Sequence, residues 1–69
     1  MYRESVSSSN LAAVGYDANS KTLEIEFNHG GVYQYANVPS NVHSGLMNAN
    51  SHGSYFHQYI KDVYSYTKL

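Results

Sequence analysis

Sixty-nine residues without a cysteine exclude a disulfide scaffold and any thiolate zinc site, and the expectation is one domain over residues 1–69. A chain of this size buries only about 60% of its unfolded surface, so self-association into a homo-oligomer is expected to supplement its core. Four Lys or Arg against five Asp or Glu leave a net charge of −1, which supplies no basic stripe for long-range capture of RNA or DNA.

The opening Met1-Tyr2-Arg3-Glu4-Ser5 is polar, and no apolar run approaches the ~20 residues of a membrane span. A cytoplasmic protein without a membrane anchor is therefore expected. Residues Ser5 to Asn10 hold four serines and an asparagine. Such a stretch is either a flexible leader or an ordered edge segment whose hydroxyls bond neighbouring backbone or a ligand. Leu11 to Tyr16 reads as a strand, with Gly15 marking a bulge or a close backbone approach. Asp17-Ala18-Asn19-Ser20 carries turn chemistry, because Asp and Asn side chains bond their own backbone.

Thr22 to Pro39 is the clearest stretch. Leu23, Ile25 and Phe27 alternate with Glu24 and Glu26, which gives one apolar and one acidic strand face and puts the glutamates towards solvent. Val32, Tyr33 and Tyr35 form the returning strand, and the four residues Asn28-His29-Gly30-Gly31 connect the two as a β-hairpin. Short links between consecutive strands require an antiparallel meander. Pro39 ends the sheet, and Ser40 or Asn41 is expected to cap a short helix whose apolar positions are Val42, Leu46 and Ala49. Gly45 weakens that helix unless another element packs closely on it. Ser51 is expected to cap a second helix running from Ser54 to about Tyr64, with Lys61 and Asp62 solvated. The tail, residues 64–69, alternates again and is either a last strand or an extended arm. The expected fold is α+β, a three- or four-stranded antiparallel meander with two short helices on one face.

No reaction can be read from the residues. The four histidines lack the i, i+4 spacing that aligns two imidazoles on one helix face, so they are expected at the surface and no metal is expected. No Gly-x-Ser-x-Gly elbow and no phosphate loop of the Walker type is present, so neither catalysis nor a cofactor is expected. Tyrosine stands out at eight residues, with no tryptophan. Tyr33 and Tyr35 share one side of a strand, and Tyr16 on a neighbouring strand can join them. These rings either stack bases or face the helices and build the core, leaving Gln34 outward.

Taken together, the Ser8-Ser9-Asn10 opening, Gly15-Tyr16-Asp17, the Leu23, Ile25, Phe27 alternation, Tyr33-Gln34-Tyr35, Val38-Pro39, the run from Ala49 to Phe56, Ile60 and Tyr64 resemble the KTSC domain. That short module is named for its place at the C-terminus of some lysyl-tRNA synthetases and also occurs alone in small bacterial and phage proteins. The resemblance implies no settled activity, and its synthetase context points to RNA binding. The slightly acidic balance of this chain makes an RNA-backbone clamp weak. A compact nucleotide is easier to accommodate, because one or two phosphates need only a cation or two and several polar donors. Those donors are Arg3, Ser8, Ser9, Asn10, Ser51 and Lys61, with Tyr16, Tyr33 and Tyr35 available for the base. The reading is thus a non-catalytic module for a small nucleotide-like ligand, able to sequester a signalling nucleotide. An RNA-binding accessory module and a protein-interaction module are the alternatives.

Overall fold

In β3 (Thr22–Phe27) the expected alternation is realised: Leu23 and Ile25 are fully buried on one face. The computed structural model describes residues 1–69 and builds the sheet outward from that strand. On one side lie β2 (Leu11–Asp17) and β1 (Glu4–Ser5), on the other β4 (Val32–Tyr35) and β5 (Tyr66–Lys68). The five strands are antiparallel and follow chain order. Two helices, α1 (Ser40–Asn48) and α2 (His52–Tyr59), connect β4 to β5. No helix is long and apolar enough to cross a membrane. The fold is α+β as expected, with five strands where three or four were read. The additional strands are at the edges: β1, of two residues, is too short to leave a periodic signal, and β5 lies in the tail whose alternation left a last strand as one of two readings.

Register decides which side chains share a face. Val14 pairs with Ile25, Ile25 with Tyr33, and Leu23 with Tyr35, so these residues point to the side that the helices cover. Leu46 of α1, with Phe56 of α2 and the adjoining Ile60, completes a core that also includes Leu11 and Val38. The register shifts between Leu11 and Ala13, so Leu11 lies opposite Phe27 and turns inward while Ala13 lies opposite Glu26 and turns outward. The bulge thus sits at Ala12. Gly15 instead marks a close approach: a Cβ there would lie 2.6 Å from the Tyr2 carbonyl oxygen. Gly45 is likewise overlain by the Tyr55 ring, which lets α1 and α2 meet.

The helix ends differ from expectation. No side chain caps α1; Pro39 stands at its N-cap position and its carbonyl accepts from Val42 N–H at 3.0 Å. Ser51 does cap α2, accepting from Ser54 N–H at 3.2 Å. That helix stops at Tyr59 and does not reach Tyr64. Lys61 N–H bonds the Phe56 carbonyl at 2.8 Å, and Asp62 adopts left-handed backbone with φ 63. This turn reverses the chain and lays β5 along β4, pairing Tyr66 with Tyr35 and Lys68 with Tyr33.

The outer sheet face also departs from the reading. Glu24 was expected towards solvent yet is only 4% exposed. The N-terminal residues fold over Gly15, and the Arg3 guanidinium donates to Glu24 and reaches Glu26 at 3.4 Å. Gln34 Nε2 donates to the other Glu24 oxygen at 2.7 Å. Desolvation alone would raise the Glu24 carboxyl, but the hydrogen bonds from Gln34 and Arg3 outweigh it and hold the group below 4.5. A depressed carboxyl stabilises the fold above its unfolded value and loses that contribution as pH falls through the folded one. The melting temperature of a Glu24→Gln variant should therefore lie below that of the unsubstituted chain at neutral pH, and the gap should close as pH drops below 4.5. A gap that stayed constant across that range would show that the ion pair does not matter to stability.

Candidate functional site

On the inner face α1 lies over β2, where His43 stacks on Tyr16, and α2 sets Phe56 against β3 and β4. Strand alternation places Phe27, Tyr33, Tyr35 and Tyr66 on the same face, where with Phe56 they line one cleft. The rings form a continuous cluster. Phe27 meets Tyr33 edge-on with centroids 5.4 Å apart, Tyr33 meets Tyr66 at 5.4 Å, and Tyr66 meets Tyr35 at 5.7 Å. Phe56 contacts Phe27 at 5.3 Å and Tyr35 at 5.6 Å. His29 in the hairpin turn stacks on Phe27 at 5.5 Å. The result is an open cleft of about 830 Å³ with an aromatic floor.

Its rim is polar. Ser9 and Asn10 approach from the β1–β2 connection, His57 from α2, and Lys61 and Asp62 from the turn that follows. The Ser8-to-Leu11 loop is ordered because Ser8 Oγ accepts from the N–H groups of Asn10 (3.2 Å) and Leu11 (3.3 Å). Asn28 N–H donates to the Asn10 carbonyl at 2.9 Å, and Asn28 Nδ2 donates to the Ser8 carbonyl at 3.0 Å, tying this loop to the hairpin. Of the two readings of the serine-rich stretch, the structure takes the ordered one. Gly53 allows the close approach, since its missing Cβ would stand 3.2 Å from Asn10 Nδ2. Beyond Gly53 a second groove, lined only by polar residues and glycine, continues over Ser51, Ser54 and Gln58 and shares Ser9, Asn10 and His57 with the cleft.

Tyr35 sets the character of the floor. Its residue is 5% exposed, yet it lines the cleft. Burial pushes its phenol up to about 12, assisted by the Tyr33 and Tyr66 phenols and the Asp62 carboxylate. The hydroxyl therefore stays protonated at any physiological pH, a form that can donate as well as accept.

A family model of the KTSC domain matches residues 7–64. The chain belongs to the KTSC domain family. The fold follows a solved KTSC domain protein from Yersinia pestis, 40% identical, with a TM-score of 0.97 over 99% of this chain and 96% of that one. An uncharacterized protein of Stutzerimonas stutzeri is 41% identical over 88% of this chain and 86% of its own length. A lysine–tRNA ligase of Nostoc sp. is 41% identical over 86% of this chain, which spans only 10% of the ligase.

This KTSC domain gathers some of the expected site residues and separates others. Ser9, Asn10, Tyr33, Tyr35 and Lys61 line one cleft, and Ser51 lines the adjoining groove. Ser51 and Ser8 both spend their hydroxyls on backbone N–H groups. Arg3 lies elsewhere, on the opposite sheet face with Glu24, because register turns Glu24 away from the helices. Tyr16 is also separate: α1 covers it, His43 stacks on it at 4.6 Å, and its hydroxyl donates to the Val38 carbonyl at 2.6 Å. Both tyrosines of β4 do face the helix side, with Gln34 outward, yet they border open space as well. Two histidines are only partly exposed. His43 is half-buried and burial lowers its imidazole below 6.5, while His52 Nδ1 meets the Leu46 carbonyl at 2.8 Å. Phe27, Phe56, His57, Asp62 and Tyr66 line the cleft and were not among the expected ligand contacts. The alternation of the tail was the one signal in sequence that pointed to Tyr66.

Proposed function

We propose that this KTSC domain is a non-catalytic binding module that takes a small nucleotide-like ligand in the aromatic cleft. The observation that carries the reading is the floor of Phe27, Tyr33, Tyr35 and Tyr66 bordered by Ser9, Asn10 and His57. Aromatic faces hold a planar base by stacking, at ~1–3 kcal/mol per base. The polar rim that the cleft shares with its adjoining groove suits ribose and phosphate. Arg3 has no part in this reading, because its guanidinium is engaged with Glu24. The module is read as cytoplasmic and as a homo-oligomer, in which sequestration of a signalling nucleotide requires binding but no bond breaking.

A second reading has its own support. The matching segment is part of proteins named lysine–tRNA ligases, and the same rings can stack on unpaired RNA bases. Salt separates the two, because RNA affinity falls steeply with ionic strength and a ligand with one or two phosphates responds weakly. A thermal-shift screen against mononucleotides, cyclic dinucleotides and short RNAs tests both, with the mass in solution measured alongside. A ligand at 100 times its Kd stabilises the fold by ~2.7 kcal/mol, which raises the melting temperature of so small a domain by at least several degrees. A flat screen at millimolar ligand would overturn the nucleotide reading and turn attention to a protein partner.

A further inference from the structure

We infer that the cleft selects guanine over the other bases, with Lys61 and Asp62 reading the edge of the base. This rests on the nucleotide reading above and adds the identity of the base. Asp62 is the one carboxylate that lines the cleft. The other acids of the chain stand elsewhere. Glu24 and Glu26 hold Arg3, Asp17 accepts from Asn19 N–H at 2.9 Å, and Glu4 lies on β1 at the opposite sheet edge. Asp62 has no such engagement, since both ion pairs of the chain are made by Arg3.

The backbone fixes where this residue stands. Asp62 sits at φ 63, a region that few residues other than Gly, Asn and Asp enter readily. Immediately before it, Lys61 N–H is anchored to the Phe56 carbonyl. The Lys61-Asp62 pair therefore stands on a pinned turn that borders the aromatic cleft, and offers it one acceptor-only and one donor-only group.

Guanine is the base that matches this pair. Its pairing edge carries two adjacent donors, N1–H and the 2-amino group, next to the O6 acceptor. A carboxylate accepts both donors as a bidentate pair, and the neighbouring ammonium donates to O6. Adenine and cytosine each place an acceptor ring nitrogen beside their amino group. Uracil flanks its single N–H with two carbonyls. Each of these three would set an acceptor against the Asp62 carboxylate, a mismatch that leaves both groups unpaired. With the base on Tyr33 and Tyr66, the shared rim at Ser9, Asn10 and His57 is left for the sugar and phosphate.

The test is titration calorimetry of the full chain with GMP, IMP, AMP and UMP, repeated on Asp62→Asn. Asparagine also tolerates left-handed backbone, so the turn and the melting temperature should be kept. GMP should bind about tenfold or more tighter than AMP or UMP, the usual yield of one bidentate base contact. IMP, which lacks the 2-amino group, should fall between. Asp62→Asn should abolish the preference for GMP over AMP, by weakening GMP and by relieving the clash between the carboxylate and the adenine ring nitrogen. Equal affinities for all four, or a guanine preference that survives Asp62→Asn, would overturn the base assignment and leave the nucleotide reading standing. No binding of any nucleotide, here and in the wider screen, would overturn both.

Discussion

Truncation of Ile25 to alanine is expected to cost about 2–5 kcal/mol of stability. Ile25 is fully buried on the central strand, paired with Val14 on one side and Tyr33 on the other. Removing three carbons there opens a cavity that neither neighbour can fill, because both belong to hydrogen-bonded strands whose register is set. A domain of this size has only a few kcal/mol of net stability, so the variant should be largely unfolded at physiological temperature. Each kcal/mol moves the midpoint by roughly 4–8 °C in so small a chain. Thermal melts followed by circular dichroism should therefore show a loss of roughly 10 °C or more. A shift of only a degree or two would mean that the strand relaxes around the gap and that the core is less tightly packed than its burial indicates.

Tyr66→Ala is expected to do the opposite, weakening ligand and sparing the fold. Tyr66 is 60% exposed, so its removal returns little apolar surface to water, and its backbone pairing with Tyr35 is retained. Its ring nevertheless packs against both Tyr33 and Tyr35 and lines the cleft. Loss of one stacking surface corresponds to ~1–3 kcal/mol, or about 5- to 150-fold in the affinity for a nucleotide. Tyr66→Phe keeps the π-face and should retain most of that affinity. Calorimetry on the two variants, with melts as the control for folding, gives the comparison. Undiminished affinity in Tyr66→Ala would remove this ring from the site. An equal loss in Tyr66→Phe would assign the effect to the hydroxyl instead.

The parts of the fold that could be read locally are those whose cause is local. The hairpin from Thr22 to Tyr35 follows from alternation and from Gly30, which takes φ 104 in the turn. The Ser51 cap and the packing on Gly45 follow from the chemistry of single residues. The edge strands could not be settled this way: β1 left no signal, and the alternation of the tail left a strand and an extended arm both open. Two or three residues of β1 and β5 become strands only because β2 and β4 present them with unpaired backbone. The end of α2 was misplaced for a related reason. Val63 and Tyr64 continue the helical spacing, but the turn at Asp62 carries them back over Ile60.

The sequence by itself determined the α+β class, the meander, the two helices and the stock of side chains suited to a nucleotide: serines, Asn10, Lys61 and a surplus of tyrosine. Propensity, alternation and capping act over a few residues, so they are present in any short window of the chain. Only the tertiary structure decided which of those side chains meet. Strand register sends Glu24 to the face opposite the helices, where it draws Arg3 away from the cleft, and α1 covers Tyr16. The same register sets Tyr66 beside Tyr35, and a single left-handed residue returns the chain so that Asp62 borders the cleft. Such meetings join residues far apart in the chain, and no local pattern encodes them, because they arise from how the sheet and helices close on a common core.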